Sequence, residues 1–154
     1  MASLLICLCS WAGATLAADE NNVVSGLTAT GAPLAFHGYD PVATISIGNP
    51  IEGNATYAAV HDGAAYYFAS EKNVTIFNRS PEKYIPQNGG FCTYGVSKGK
   101  KFDGDPQYAS VVDGKLYVFL NENIFKIFIR NKETIITEAE KQWETIRSKA
   151  ALEL

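Results

Sequence analysis

Cys92, His37 and His61 carry the donor atoms that late transition metals prefer, a thiol and two imidazoles. Soft sulfur and borderline nitrogen ligands select copper or zinc over hard cations. No two of these residues share a short-spacing motif, so the fold has to bring them together. The sequence therefore predicts a metal site at Cys92, His37 and His61, and thiolate softness favours copper over zinc.

Three other side chains lie close to these donors in the sequence. Asp40 and Tyr39 follow His37, and Tyr94 follows Cys92 at the second position. Carboxylates often fix a metal-bound imidazole through its other ring nitrogen. We therefore expect Asp40 to orient an imidazole, with Tyr39 and Tyr94 beside the ligands.

The same atoms also permit an enzyme. Cys92 would be the nucleophile, His37 or His61 the base and Asp40 the residue that orients the base. However, no helix amino terminus is evident at Cys92, and the chain has no oxyanion motif. We therefore expect a protein that is not an enzyme and keep a Cys-nucleophile enzyme as a less favoured alternative.

A metal-free binding module is the second alternative, because the chain is rich in aromatic residues. Such side chains can line an apolar pocket with polar tips and take a small molecule or a protein partner. The simpler interpretation is that they form the core. The residues concerned are Tyr57, Tyr66, Tyr67, Tyr84, Phe91 and Tyr94.

Length and charge limit the remaining classes of function. The chain has 154 residues and a formal net charge of −3 at pH 7. This length suits one globular domain. Nonspecific nucleic-acid binding needs a basic stripe, which a mildly acidic chain does not provide, so we expect no nucleic-acid partner.

Residues 1–18 are typical of a signal peptide. They are almost wholly apolar or small, and end in a small-residue cleavage site before Asp19. The segment is too short to span a bilayer, which takes about 20 apolar residues. Cleavage would leave Cys92 as the only cysteine. We therefore expect a secreted or lumenal or periplasmic protein with no membrane span, and glycosylation candidates at Asn54, Asn73 and Asn78.

The remaining pattern predicts an α+β domain over residues 34–150, after a flexible lead-in over residues 19–33. Asp62-Gly63 and Asp113-Gly114 each predict a tight hairpin turn between apolar strands. Ser70 is expected to cap a short helix, and two more helices follow the second hairpin. A strand is expected through Ile45 and Ile47. No internal repeat is evident.

The order of several motifs resembles the YHS domain, in the secreted branch with a Gly-Tyr-Asp-Pro-Val opening. The resemblance covers about residues 36–143 and implies a small treble-clef-like core with carboxy-terminal helices. Metal-handling members of the family carry cysteines that would fall at Ala43, Ala69 and Asn73, so their metal role does not transfer by motif. The matching segments are residues 38–42, 63–70, 81–84, 89–95 and 100–106.

Overall fold

The computed structural model describes residues 21–154. Within this range the protein is an α+β structure of two small sheets and five α-helices, so the predicted fold class is confirmed. The predicted signal peptide, residues 1–18, lies outside the described residues. The elements are β1 (Val23–Val24), β2 (Leu34–Ala35), α1 (Pro41–Ile47), β3 (Asn54–His61), β4 (Ala64–Phe68), α2 (Glu71–Arg79), α3 (Thr93–Ser97), β5 (Asp105–Val112), β6 (Lys115–Phe119), α4 (Glu122–Arg130) and α5 (Lys132–Ile146).

The first sheet has the strand order β1-β2-β4-β3. Its centre is the predicted hairpin, in which His61 pairs with Ala64 on either side of the Asp62-Gly63 turn. Strand β2 runs parallel to β4 and antiparallel to β1, so β1 ties part of the predicted flexible lead-in to the sheet.

The segment after Asp40 is a helix, and the prediction of a strand through Ile45 and Ile47 is wrong. The Asp40 carboxylate accepts a hydrogen bond from the backbone N–H of Ala43 at 2.8 Å and so caps the helix α1. Pro41 occupies the first helical position, where its missing N–H costs nothing. This cap outweighs the strand preference of the β-branched residues that follow.

The second hairpin and its helices agree with the prediction. Strands β5 and β6 pair antiparallel around Asp113-Gly114. The Asn121 side chain accepts a hydrogen bond from the Ile124 N–H and caps α4, as Ser70 caps α2. Helix α5 buries Ile135, Ala139 and Ile146 along one face.

A buried lysine fastens the end of α5 to the loop around Cys92. The Lys101 ammonium donates hydrogen bonds to the carbonyl oxygens of Arg147 at 2.8 Å and Lys149 at 2.6 Å. It also lies 5.2 Å from the ring centre of Phe91 and 5.4 Å from that of Trp143. Its charge is satisfied by carbonyl oxygens and ring faces, as a buried cation requires.

Candidate metal site

His61 stands at the end of β3, where its ring packs on the core and a small part of its side chain is exposed. The ring makes an edge contact with Phe77, whose centre is 6.1 Å away. The side chain of His61 is 19% exposed. Packing therefore limits the motion of the imidazole, while part of the side chain remains exposed.

Two carboxylates meet this nitrogen. Nε2 of His61 lies 2.9 Å from Oε1 of Glu82 and 3.5 Å from Oδ2 of Asp62. Asp62 is in the hairpin turn, and Glu82 is in the 3₁₀ helix Pro81–Lys83 that follows α2. Across residues 21–154, this is the one group of three His, Cys, Asp or Glu residues whose ligand atoms lie within 4.8 Å of one another.

The spacing of these atoms is close to that of a coordination sphere. Two metal–ligand bonds of about 2.1 Å at the tetrahedral angle place their donor atoms about 3.4 Å apart. The measured separations from Nε2 of His61 lie on either side of that value. One imidazole and two carboxylates also suit a divalent transition metal better than Cu(I), which prefers softer ligands.

His37 lies elsewhere and has a different environment. It adopts a left-handed backbone conformation with φ 48°, and its Nε2 lies 2.8 Å from Oδ1 of Asp103. The same carboxylate oxygen accepts a hydrogen bond from the Asn22 amide at 2.7 Å. Burial raises the pKa of Asp103, but the hydrogen bonds from Asn22 and His37 outweigh burial and hold it below its usual value.

Cys92 is buried in an apolar cluster rather than presented on an open loop. It is 1% exposed and packs with Tyr117, Phe119 and Phe128. The three predicted donors, Cys92, His37 and His61, are thus not gathered into one group of ligand atoms. The structure instead places His61 with Asp62 and Glu82.

Cys92 directly precedes α3, so the expectation that no helix amino terminus faces it is wrong. Burial raises the pKa of the Cys92 thiol, and the charge of Asp103 raises it further. The backbone N–H groups of Gly95, Leu120 and Tyr94 act in the opposite direction, without reversing the shift. This environment favours the neutral thiol, which is a weak nucleophile and a weak metal ligand.

Asp40 does not orient an imidazole. Its carboxylate is fully buried and accepts hydrogen bonds from the backbone N–H of Ala43 and Ala69 and from the side-chain amide of Asn73. These are the three positions where the metal-handling branch would carry cysteines. The structure brings the three positions together, but Ala, Ala and Asn do not fit a thiolate metal centre. The Asp40 carboxylate and its hydrogen bonds occupy the space between these three positions instead.

Tyr39, Tyr94 and the aromatic residues considered for a pocket make packing contacts. Tyr39 packs edge-on against Phe36, and Tyr94 lies beneath the ammonium group of Lys98. A surface groove of about 510 Å³ lies between the lead-in and the carboxy terminus. Of the six aromatic residues considered for a pocket, only Phe91 lines this groove, while Tyr66 belongs to the core.

The sequence identified His61 but missed both of its partners. In the sequence, the adjacent Asp62 indicates only a turn, and Glu82 belongs only to segment 81–84 of the YHS resemblance. Glu82 is 21 residues from His61, and no spacing motif connects them. Only the path of the chain from β4 through α2 brings this carboxylate back to the turn.

The family match falls on the segment that carries this group. Residues 48–88 match the family model of the YHS domain. This segment of the chain is similar to the YHS domain. The resemblance seen in the motifs is thereby supported, while membership of a secreted branch stays a prediction. No curated protein and no solved structure matches the chain.

Two further expectations concern the surface. Asn54 and Asn78 are exposed, whereas Asn73 is half-buried and its amide is committed to Asp40. A glycan on Asn73 would have to break that hydrogen bond. Over residues 21–154, no helix has the length and apolar character needed to cross a membrane.

Proposed function

We propose that this YHS-domain protein binds a divalent transition metal through His61, Asp62 and Glu82 and does not act as an enzyme. The observation that carries the proposal is the convergence of one imidazole and two carboxylates within 4.8 Å. The YHS match is in keeping with a metal-binding role. The remaining coordination positions would be filled by water, because the group lies at the surface.

Copper(II) is the metal we expect to bind most tightly. Affinity for a site of nitrogen and oxygen ligands generally rises along the first-row series to Cu(II) and falls again at Zn(II). Copper therefore remains ahead of zinc, but through Cu(II) and carboxylates rather than through Cu(I) and the Cys92 thiolate.

The non-catalytic part of the proposal rests on Cys92. Burial raises the pKa of this thiol, and the Nε2 atoms of His37 and His61 lie against carboxylates. A nucleophilic cysteine needs the opposite, namely a lowered pKa and a nearby base. These features favour a binding protein.

Titration calorimetry with CuCl₂ and ZnCl₂, on protein without a polyhistidine tag, tests the metal site. We expect one equivalent of Cu(II), and we expect His61→Asn to raise the dissociation constant at least about tenfold, a loss of about 1.4 kcal/mol. Glu82→Gln should weaken binding in the same direction. The dissociation constant rises because His61→Asn removes the nitrogen donor and Glu82→Gln removes a charged oxygen donor.

His37→Asn is the matched control. The Nε2–carboxylate distance is 2.8 Å at His37 and 2.9 Å at His61. At His37, however, the one carboxylate is that of Asp103, whose oxygen also accepts from the Asn22 amide. This variant should bind like the parent. If Cys92→Ser abolishes binding while His61→Asn leaves it intact, the site lies at Cys92 and our assignment is wrong.

We also propose that the mature protein is secreted and begins near residue 19. The apolar segment before Asp19 and the sequons support this. The mass of the protein recovered from the medium of a eukaryotic host tests it. A mass that still includes residues 1–18 would contradict the proposal.

A further inference from the structure

The two hairpins belong to two segments of identical length and order. Each segment has an eight-residue strand, a two-residue turn, a five-residue strand and a nine-residue helix. The pairs are β3 with β5, β4 with β6, and α2 with α4. Their first residues are Asn54 and Asp105, Ala64 and Lys115, and Glu71 and Glu122, so position i of the first segment corresponds to position i+51 of the second.

Irregular features repeat at the same offset. Each hairpin has a register shift, between positions 54 and 58 in one and between 105 and 109 in the other. At the start of each long strand, a side-chain oxygen accepts a backbone hydrogen bond from two residues onward, in Asn54 and in Asp105. Bulges and caps are specific features of a fold, so their coincidence is stronger support than matching lengths alone.

The segments before the hairpins also correspond, with an offset that is larger by one. Gly38 and Gly90 both have positive φ, and each is followed at the second position by the cap of a short helix, α1 or α3. The backbone N–H of Asp40 donates to the carbonyl of Ile51 at 2.7 Å. That of Cys92 donates to the carbonyl of Phe102 at 2.9 Å.

Sequence identity follows the alignment of the two hairpins. Between positions 53 and 79, nearly half of the residues are identical to their counterparts between positions 104 and 130. The shared residues include the turn, the core aromatics and the last residue of the helix. The identical pairs are Gly53/Gly104, Tyr57/Tyr108, Ala58/Ala109, Val60/Val111, Asp62/Asp113, Gly63/Gly114, Tyr66/Tyr117, Phe68/Phe119, Glu71/Glu122, Ile76/Ile127, Phe77/Phe128 and Arg79/Arg130.

We infer that the chain is a tandem duplication, in which residues 90–130, the second unit, repeat residues 38–79, the first unit. The YHS family match at residues 48–88 covers most of the first unit and stops before the second. The second unit is therefore a diverged YHS copy. On this inference, the expectation that the chain has no internal repeat is wrong. The repeat is hard to see in the sequence because the offset changes by one residue between the caps and the strands.

The duplication assigns Cys92 to the position of Asp40. The carboxylate of Asp40 accepts hydrogen bonds from the N–H groups of Ala43 and Ala69. The backbone groups of their counterparts, Gly95 and Leu120, lower the pKa of the Cys92 thiol, although Cys92 makes no side-chain cap hydrogen bond. One partner differs: the amide of Asn73 has Ile124 as its counterpart. Asp40 and Asn73, which are polar and hydrogen-bonded to each other, thus correspond to the less polar pair Cys92 and Ile124.

The duplication also shows how the proposed ligand group of His61, Asp62 and Glu82 differs from the corresponding positions near the second hairpin. This step rests on the proposed function. Asp62 has the acidic counterpart Asp113, whereas His61 is replaced by Val112. Glu82 lies just beyond the first unit, and the same offset of 51 leads to another acid, Glu133. The imidazole is therefore the specificity-determining ligand, and it explains why one equivalent of metal, rather than two, is expected.

A double-mutant cycle on the apo protein tests the duplication without any metal. Cys92→Asp places a carboxylate among N–H groups that correspond to those around Asp40, but without an amide partner. Adding Ile124→Asn should supply that partner. We expect urea unfolding to show the double variant more stable than Cys92→Asp alone, by about tenfold in the unfolding equilibrium constant, a coupling typical of contacting polar residues.

The reciprocal cycle covers the case in which Cys92→Asp does not fold. Asp40→Cys should lose stability, and Asn73→Ile should restore part of it, although Asn73→Ile alone in the parent is destabilising. If the second substitution adds its own cost in both cycles, Asp40 and Cys92 are not equivalent and the inference is overturned. Neither cycle measures metal binding. The outcome of either cycle is therefore independent of whether a metal binds at His61.

Discussion

The two units share a backbone and differ in chemistry. In the first, a buried carboxylate, Asp40, joins the start of α1 to the end of β4 and to α2. In the second, the buried thiol of Cys92 holds the same place among apolar side chains. The turn, the bulge and the side-chain caps of α2 and α4 are kept while the central side chain changes. The same backbone arrangement is therefore compatible with either central group, provided that the groups around it match.

The two units also differ in what packs against them. Helix α5 packs on the second unit and is fastened there by Lys101. The hairpin turn of the first unit stays open, and it is there that His61 meets Asp62 and Glu82. The turn of the second unit, Asp113-Gly114, is exposed as well, so the two turns differ in having His61 or Val112 beside them rather than in solvent access.

The largest expected effect separates the two central side chains. Asp40→Ala leaves the N–H groups of Ala43 and Ala69 and the amide of Asn73 without their buried acceptor, and should destabilise the protein by about 4 kcal/mol. Cys92→Ala removes one buried sulfur from an apolar cluster and should cost about 1–2 kcal/mol. Urea denaturation measures both changes. Equal costs would contradict the view that the first unit depends on a polar centre and the second on an apolar one.

The sequence predicted most of the fold because its signals are local. Asp-Gly dipeptides between apolar runs predicted both hairpins, and Ser70 predicted the start of α2. At Ile45 and Ile47 the β-branched residues predicted a strand, but the local signal that decided the structure was the Asp40-Pro41 cap. Asp40 therefore acts as a helix cap of the same kind as Ser70.

The candidate site was less predictable because its contacts are not local. The approach of Glu82 to His61 depends on the lengths of β4 and α2 together, which no residue pattern encodes. The choice of Cys92 followed its chemical type, yet its burial depends on α4 and α5, which lie much further along the chain. Aligning the two Asp-Gly turns with each other would have shown the repeated aromatic residues around them.

Gly53 and Gly104 provide a smaller test, in which the two units should behave alike. A Cβ atom added at Gly53 would lie 2.6 Å from the carbonyl oxygen of Gly38. One added at Gly104 would meet the corresponding oxygen of Gly90 and lie 2.5 Å from Cγ2 of Val118. Alanine at either position should cost about 2–3 kcal/mol, since backbone atoms cannot move aside as a flexible side chain does.

Gly114→Ala is the control for this pair. Gly114 has a φ of +75° and no neighbour within 4 Å of an added Cβ, so this substitution strains the backbone without a clash. It should cost about 1 kcal/mol, less than either of the other two changes. Thermal unfolding of the three variants measures the order. If Gly53→Ala and Gly104→Ala differ by more than Gly114→Ala costs alone, the close approach of loop and strand is not shared, and the two units have diverged in backbone as well as in side chains.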